Sequence, residues 1–242
     1  MLKKKSIALH MDFLEKYNSG QTLLIDKDLD WTSFDVVKKL KFLIKCKKVG
    51  HAGTLDPLAT GLLVICTGKN TKKINDIQNL KKVYTGEFII GKTTPSHDLE
   101  TEFISDKKVI KINEKKLEEV RKSFLGEQLQ RPPRYSAVKV DGKRAYEYAR
   151  DNIEVEIKEK KICIYNFKFT EVKTSKISFE ITCSKGTYIR SIARDFGERL
   201  KYGAVLSKLR RTKIGEYDVE NASRINNLVE KIKEEKFENS KR

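Results

Sequence analysis

Gly50-His51-Ala52-Gly53-Thr54-Leu55-Asp56-Pro57-Leu58-Ala59-Thr60-Gly61 is the least regular stretch of this 242-residue chain, and the reading of the whole turns on it. Glycines and a proline among small residues mark an irregular loop. It is not a phosphate loop, because the Gly-Lys-Ser/Thr ending and the G-x-G-x-x-G spacing are both absent. Pro57 fixes the backbone directly after Asp56, while Gly53 and Gly61 let a ligand or a second backbone come close. His51 lies nearby in sequence. On the residues alone, an Asp-Pro step is either a turn or part of a site, and nothing local decides between them.

Working outward, Leu62 to Thr67 is an apolar strand. Upstream, Thr22 to Asp26 has the length of a buried strand, and Ser33 stands where a helix N-cap would, ahead of Val36, Val37, Leu40, Leu43 and Ile44 at helical spacing. Six lysines fall between Lys38 and Lys48, either a solvated helix face or a track for RNA phosphates. Downstream, Gly68-Lys69-Asn70-Thr71 leads into another basic helix, Val83 to Ile90 reads as a strand, and Gly91 to Glu100 as a polar loop. Asn113 caps a charged helix, Glu114 to Phe124. Arg131-Pro132-Pro133-Arg134-Tyr135 is a rigid basic turn, followed by a strand, Tyr135 to Val140, an Asp141-Gly142 turn and a helix over Ala145 to Arg150. Three β-rich segments, Val155 to Tyr165, Phe167 to Val172 and Ile177 to Cys183, call for antiparallel pairing. Ile189, Ile192, Ala193, Phe196 and Leu200 recur at helical spacing, and a short helix is expected near Asn227 to Lys236. With no repeat and no Gly/Ser linker, the simplest division is an N-terminal extension, residues 1–20, and one α+β domain, residues 21–242.

Lys plus Arg number 51 against 34 Asp plus Glu, a net charge of +17. A chain of this length buries roughly 70–75% of its unfolded surface, so it needs no disulfide or metal to be stable. Cys46, Cys66, Cys163 and Cys183 are far apart, with no C-x-x-C pair and no histidine at ligand spacing, which argues against zinc. The longest apolar run, Leu62 to Cys66, is far short of the roughly 20 residues of a membrane span. His10, Asp12, Glu15 and Lys16 break the apolar stretch after Lys3-Lys4-Lys5 before a signal-peptide core can form, so a cytoplasmic protein is expected. Hydrophobic content of 38% excludes a disordered basic tail. The excess charge therefore decorates a folded surface, with nucleic acid as the leading partner and no membrane. No Ser-His-Asp arrangement supports hydrolase chemistry.

GHAGTLDPLATGLL (50–63) with KKVYTGEFIIG (81–91), followed by CSKGTYIRSIARDFGERL (183–200) and LRRTKIG (209–215), closely resembles the TruB family of bacterial tRNA pseudouridine synthases, which isomerise uridine 55 in the tRNA T-loop. The match runs in order from about Thr22 to Gly215. The resemblance implies the pseudouridine synthase fold, a long mixed, mostly antiparallel sheet flanked by helices with the active cleft across its middle. It makes Asp56 the catalytic aspartate, His51 a residue packing against the flipped-out RNA, and Tyr84 the tyrosine that stacks on the target base. Asp98 matches an aspartate contacting the base's polar edge. Tyr188 and Arg190 fall on the Y-I-R positions, where the arginine pairs with the catalytic carboxylate, and Leu209 matches a leucine lining the pocket. Lys27 stands where the family has a lysine, although the usual K-P-x-G-x-T-S appears here as Lys27-Asp28-Leu29-Asp30-Trp31-Thr32-Ser33. Only about 30 residues follow Arg211, too few for the C-terminal PUA barrel that many relatives carry.

The implied reaction breaks an N-glycosidic bond, turns the uracil and forms a C–C bond, without water, redox change, cofactor or metal. Asp56 can act as a nucleophile or as a base on the sugar, and both roles need it ionised. Extracting the base costs a few kcal/mol, of which stacking on Tyr84 returns about 1–3. Lys27, His51 and the turn Arg131 to Arg134 would hold phosphates. The expected partner is the T-arm of tRNA, bound by a monomer without an obligate protein partner. RNA folding as the main role is the alternative from another class; guide-RNA-dependent modification is disfavoured by the missing barrel.

Overall fold

A computed structural model describes residues 13–107, 109 and 112–241. The first twelve residues of the expected N-terminal extension lie outside the described residues. The chain divides into two units: residues up to Leu80 join Arg210 onward in the first, and Lys81–Leu209 form the second, inserted into the first.

In the first unit, residues 13–20 form helix α1, with Phe13 and Tyr17 buried. Strand β1 (Thr22–Lys27), helix α2 (Ser33–Ile44), strand β2 (Val49–His51), strand β3 (Ala59–Thr67), a 3-10 helix (Gly68–Lys73) and α3 (Ile74–Asn79) follow. Every side chain from Leu62 to Cys66 is fully buried, on both faces of β3. That explains an unbroken apolar run where a half-exposed strand would alternate. Leu62, Val64 and Cys66 share one cluster with Ala52, Ile77, Ile214 and Val219. β1 lies antiparallel to β3, with Thr22 opposite Cys66 and Lys27 opposite Gly61. The helix N-cap is Thr32 and not Ser33: the Thr32 hydroxyl accepts from Asp35 N at 3.0 Å, and the Asp35 carboxylate accepts from Thr32 N. Ser33 is spent elsewhere, as described below.

The second unit begins with β4 (Lys82–Ile90), β5 (Lys92–Thr93), β6 (Ser105–Asp106), α4 (Glu114–Lys122), β7 (Gly126–Gln130), β8 (Lys139–Val140) and β9 (Lys143–Arg144). It continues through α5 (Ala145–Arg150), β10 (Lys160–Val172), β11 (Lys176–Cys183), α6 (Ile189–Leu200) and β12 (Ala204–Ile214). β12, β4, β11, β10 and β7 are successive neighbours. β11 alternates strictly, burying Ile177, Phe179, Ile181 and Cys183. Phe179 stacks on Phe88 with centroids 4.2 Å apart, and Phe196 of α6 meets Phe88 at 5.4 Å, so one aromatic cluster joins sheet to helix. Gly197 lets α6 close on β12: a Cβ there would sit 2.0 Å from Ala204 N.

Three expectations are corrected. Val155 to Tyr165 and Phe167 to Val172 are one strand, β10, which starts at Lys160 and carries a register shift between Ile164 and Asn166. The strand expected over Tyr135 to Val140 shrinks to β8, paired with β9 across Asp141 and Gly142, both at positive φ (47° and 87°). The C-terminal helix α7 runs Ile225–Lys241. β12 leaves the second unit and ends in the first, where β13 (Tyr217–Asp218) pairs with it and β14 (Ser223–Arg224) runs parallel to β1. The described strands and helices form an α+β fold with mixed, mostly antiparallel pairing. No helix among the described residues is long and apolar enough to cross a membrane.

Candidate active site

Asp56 is half-buried, and the backbone on either side of it is held by three buried polar side chains of the first unit. The Arg211 guanidinium, 1% exposed, donates to the carbonyls of Leu62 (2.8 Å), Gly53 (3.0 Å) and Thr54 (3.3 Å). The Ser33 hydroxyl accepts from Leu55 N at 2.8 Å and donates to Leu55 O at 3.1 Å. The Lys27 ammonium, also 1% exposed, donates to Trp31 O (2.6 Å), Asp28 O (2.9 Å) and Pro57 O (3.3 Å). Pro57 O also accepts from Asp30 N, and Asp56 O from Ala59 N, both at 3.0 Å. Residues 53, 54, 55 and 57 are thus each fixed, and the carboxylate between them is carried on a rigid loop.

Lys27 therefore does not meet a phosphate, as the sequence reading had it. Its three N–H bonds are used on carbonyls, which makes it a clamp on the loop. Burial lowers its pKa to about 8, and the charge of Asp56 opposes that shift. The His51 imidazole is held below its ordinary pKa, first by burial and then by Arg211, so it is neutral at neutral pH. Gly61 carries the close approach that its position suggests: at φ +99°, a Cβ would lie 2.3 Å from Arg211 O.

The second unit assembles the other expected residues. Tyr84, 8% exposed, sits on β4 opposite Ile181 of β11. Asp98 and Arg190 are both buried, with Arg190 Nε 3.5 Å from Asp98 Oδ2. The sequence reading did not foresee this pair. The loop carrying Asp98 is tied by a hydroxyl and a backbone amide: Asp98 O accepts from Thr94 Oγ1 at 2.6 Å, and Asp98 Oδ1 from Glu100 N at 3.0 Å. His97, at φ 63°, is pushed down to about pKa 4 by burial and by Arg194 and Arg190. Tyr188 is fixed by the buried Gln130 amide, which accepts from Tyr188 N (2.8 Å) and donates to Tyr188 O (3.1 Å). Ser191 Oγ donates to Arg131 O at 2.8 Å, anchoring the basic turn to the start of α6. Leu209, half-buried, is the last residue of this unit.

Ser33, Gln130 and Arg211 escaped the sequence reading. A buried arginine looks like any basic residue in the polar run around Arg210 and Arg211, and nothing in the local sequence marks Arg211 as buried. Among the described residues, no group of three or more His, Cys, Asp or Glu is arranged to hold a metal ion.

The profile described as "TruB family pseudouridylate synthase (N terminal domain)" matches residues 41–189. A tRNA pseudouridine synthase B of Flavobacterium johnsoniae is 54% identical over 215 residues, 86% of this chain and 94% of the relative. The chain belongs to the TruB family. The namesake from Chloroherpeton thalassium is 46% identical over 218 residues, covering 88% of this chain and 90% of that one. Among solved structures, a Cbf5-Nop10-Gar1 complex matches at TM-score 0.67 and 27% identity over 90% of this chain. An H/ACA RNP bound to a substrate RNA containing 2′-deoxyuridine matches at TM-score 0.65 and 25% identity over 93% of it. This chain spans just over half of each matched chain in those two structures, 56% and 55%. As a TruB-family member the chain is a pseudouridine synthase, an isomerase acting on RNA, with the pseudouridine synthase fold expected for it. The stretch matched, residues 41–189, spans the positions of His51, Asp56, Tyr84, Asp98 and Tyr188.

Proposed function

We propose that this TruB-family enzyme isomerises uridine 55 in the T-loop of tRNA to pseudouridine, with Asp56 as the catalytic carboxylate. The supporting observation is the loop in which Asp56 sits, where buried Arg211, Ser33 and Lys27 fix the backbone of its neighbours. Preorganisation of this kind is what a carboxylate acting on one atom of a bound nucleotide requires, since a misplacement of about 1 Å can cost about 100-fold in rate. The curated relatives, named as acting on tRNA, support the substrate class.

Atoms balance without a co-reactant. The N1–C1′ bond of the uridine breaks, a C5–C1′ bond forms, C5 gives up its proton and N1 gains one. Asp56 serves as nucleophile or as base on the sugar. Tyr84 stacks on the extruded base, Asp98 meets its polar edge, and Arg190, Tyr188, His51 and Leu209 complete its surroundings. Lys27 and Arg211 act through the loop they hold. Residues 21–242 work as one catalytic domain, in a monomer, in the cytoplasm; the four free cysteines suit that reducing compartment. The reading is tested with unmodified tRNA transcripts: pseudouridine should appear at uridine 55, and a transcript with cytidine at that position should gain none. Pseudouridine at another position, or none in either transcript, would refute it.

A further inference from the structure

A cleft of about 260 Å³ opens on the first unit, lined by Lys47, Lys48, Lys69 and Lys72 with Asn18 and Thr71 between them. No acidic residue lines it, and none of the four lysines has a carboxylate within ion-pair distance among the described residues. By contrast Lys92, Lys173, Lys213 and Lys233 each lie 2.8–3.1 Å from an Asp or Glu oxygen. Four uncompensated ammonium groups around one hollow repel each other, and an anion seated among them would remove that repulsion.

The hollow is built from three chain segments tied together by the Asn18 side chain and by a backbone hydrogen bond. Asn18 Oδ1, at the end of α1, accepts from Lys47 N (3.4 Å), and Asn18 Nδ2 donates to Leu14 O (2.8 Å). Gly68 N donates to Lys48 O (2.8 Å), which joins the start of the 3-10 helix to the segment between α2 and β2. Gly68 sits at φ +48°, and a Cβ there would lie 2.1 Å from Asn18 O, so no side chain fits between the first and third segments. The fold therefore fixes where the four lysine stems start.

The lining is ammonium groups on flexible stems, with no guanidinium fork to define the outline of a small ligand. The basic surface also runs on: Lys38, Lys41 and Lys45 of the α2 segment and Lys73 of the 3-10 helix are exposed. Phe34 and Phe42 on α2 are 68% and 86% exposed, and an exposed aromatic beside a phosphate track can stack on a base. A string of phosphates fits this arrangement better than one free anion. We infer that the Lys47–Lys48–Lys69–Lys72 cleft seats successive backbone phosphates of the RNA substrate, one met by each lysine, away from the nucleotide that is isomerised, with the lysines of α2 continuing the track. This rests on the proposed RNA substrate.

The test is the salt dependence of binding to an unmodified tRNA transcript, for the full chain and for Lys47→Gln/Lys48→Gln and Lys69→Gln/Lys72→Gln. Each lost phosphate contact should flatten the slope of log K against log salt by about 0.7–0.9, so each double variant should lose about 1.4–1.8 of slope. Extrapolated to an equal affinity at 1 M, that is roughly 25- to 60-fold weaker binding at 0.1 M. Lys173→Gln/Lys176→Gln removes the same charge from another surface and should leave the slope unchanged. Equal slopes for wild type and both cleft variants, or an equal loss in the control variant, would overturn the inference. Pseudouridine formation is scored in the same samples: its absence in wild type would sink the proposed reaction while the slopes still decide the cleft.

Discussion

Arg211→Met removes the guanidinium from the Asp56 loop while keeping an unbranched apolar stem of similar reach. Arg211 is 1% exposed and makes good hydrogen bonds to Leu62 O and Gly53 O, at 2.8 and 3.0 Å, with a longer one to Thr54 O at 3.3 Å. A hydrogen bond from a charged donor is worth about 1.5–3 kcal/mol, so the two good ones contribute about 3–6 gross. Removing a buried cation also removes its desolvation cost, which returns part of this. A net loss of about 2–4 kcal/mol follows, or roughly 4–16 °C in Tm for a chain of this length. The catalytic effect is expected to be larger than stability alone explains. With the carbonyls of Gly53 and Thr54 released, Asp56 shifts relative to its substrate, and kcat should fall about 100-fold while KM for tRNA changes only a few-fold. Arg211→Lys keeps the charge without the planar fork and should fall between the two. The measurements are thermal unfolding and steady-state pseudouridine formation at a temperature where the variant is folded. A variant that loses stability but keeps kcat within threefold of wild type would show that the clamp does not position Asp56.

Gly61→Ala should be far worse than Gly126→Ala in thermal unfolding, although both glycines have positive φ. At Gly61 a Cβ meets Arg211 O at 2.3 Å, whereas at Gly126 nothing lies within 4 Å, so Gly126→Ala bears only the backbone strain of about 1 kcal/mol; equal losses would refute the close approach. His97 titrates near 6.5 when unfolded and only near 4 when folded, so the unfolded chain binds more protons in that window and acidification destabilises the native state. His97→Asn tolerates the left-handed backbone and should lose this component of acid sensitivity in denaturant unfolding between pH 6.5 and 4; a pH profile matching wild type would count against the burial of His97.

Elements with a single strong period could be read from sequence: β11 alternates, and α6 repeats its apolar residues every three or four positions. β12 could not, because its apolar ends enclose Ser207, Lys208, Arg210, Thr212 and Lys213, a polar run that reads as a surface loop. β10 was split in two because the shift after Ile164 takes Tyr165 and Asn166 out of phase. Nor did any linker mark the inserted unit, since the chain leaves it within a strand. For the site, motif segments pointed to Asp56, Tyr84 and Arg190, while the roles of the residues that hold the Asp56 loop went unread. Ser33 looked like a helix cap and Lys27 like a phosphate ligand, because exposure and hydrogen-bond partners are set by residues distant in sequence.

The most direct test of the account is a single-turnover reaction of wild type and Asp56→Asn with unmodified tRNA, at enzyme concentrations that saturate binding. Asn is nearly the same size as Asp and removes only the charge and the basic, nucleophilic oxygen. Wild type should convert uridine 55 to pseudouridine, and Asp56→Asn should bind the tRNA with similar affinity, unfold at a similar temperature and form no product. Pseudouridine at that position at a rate near wild type from Asp56→Asn would contradict the assignment of the catalytic carboxylate.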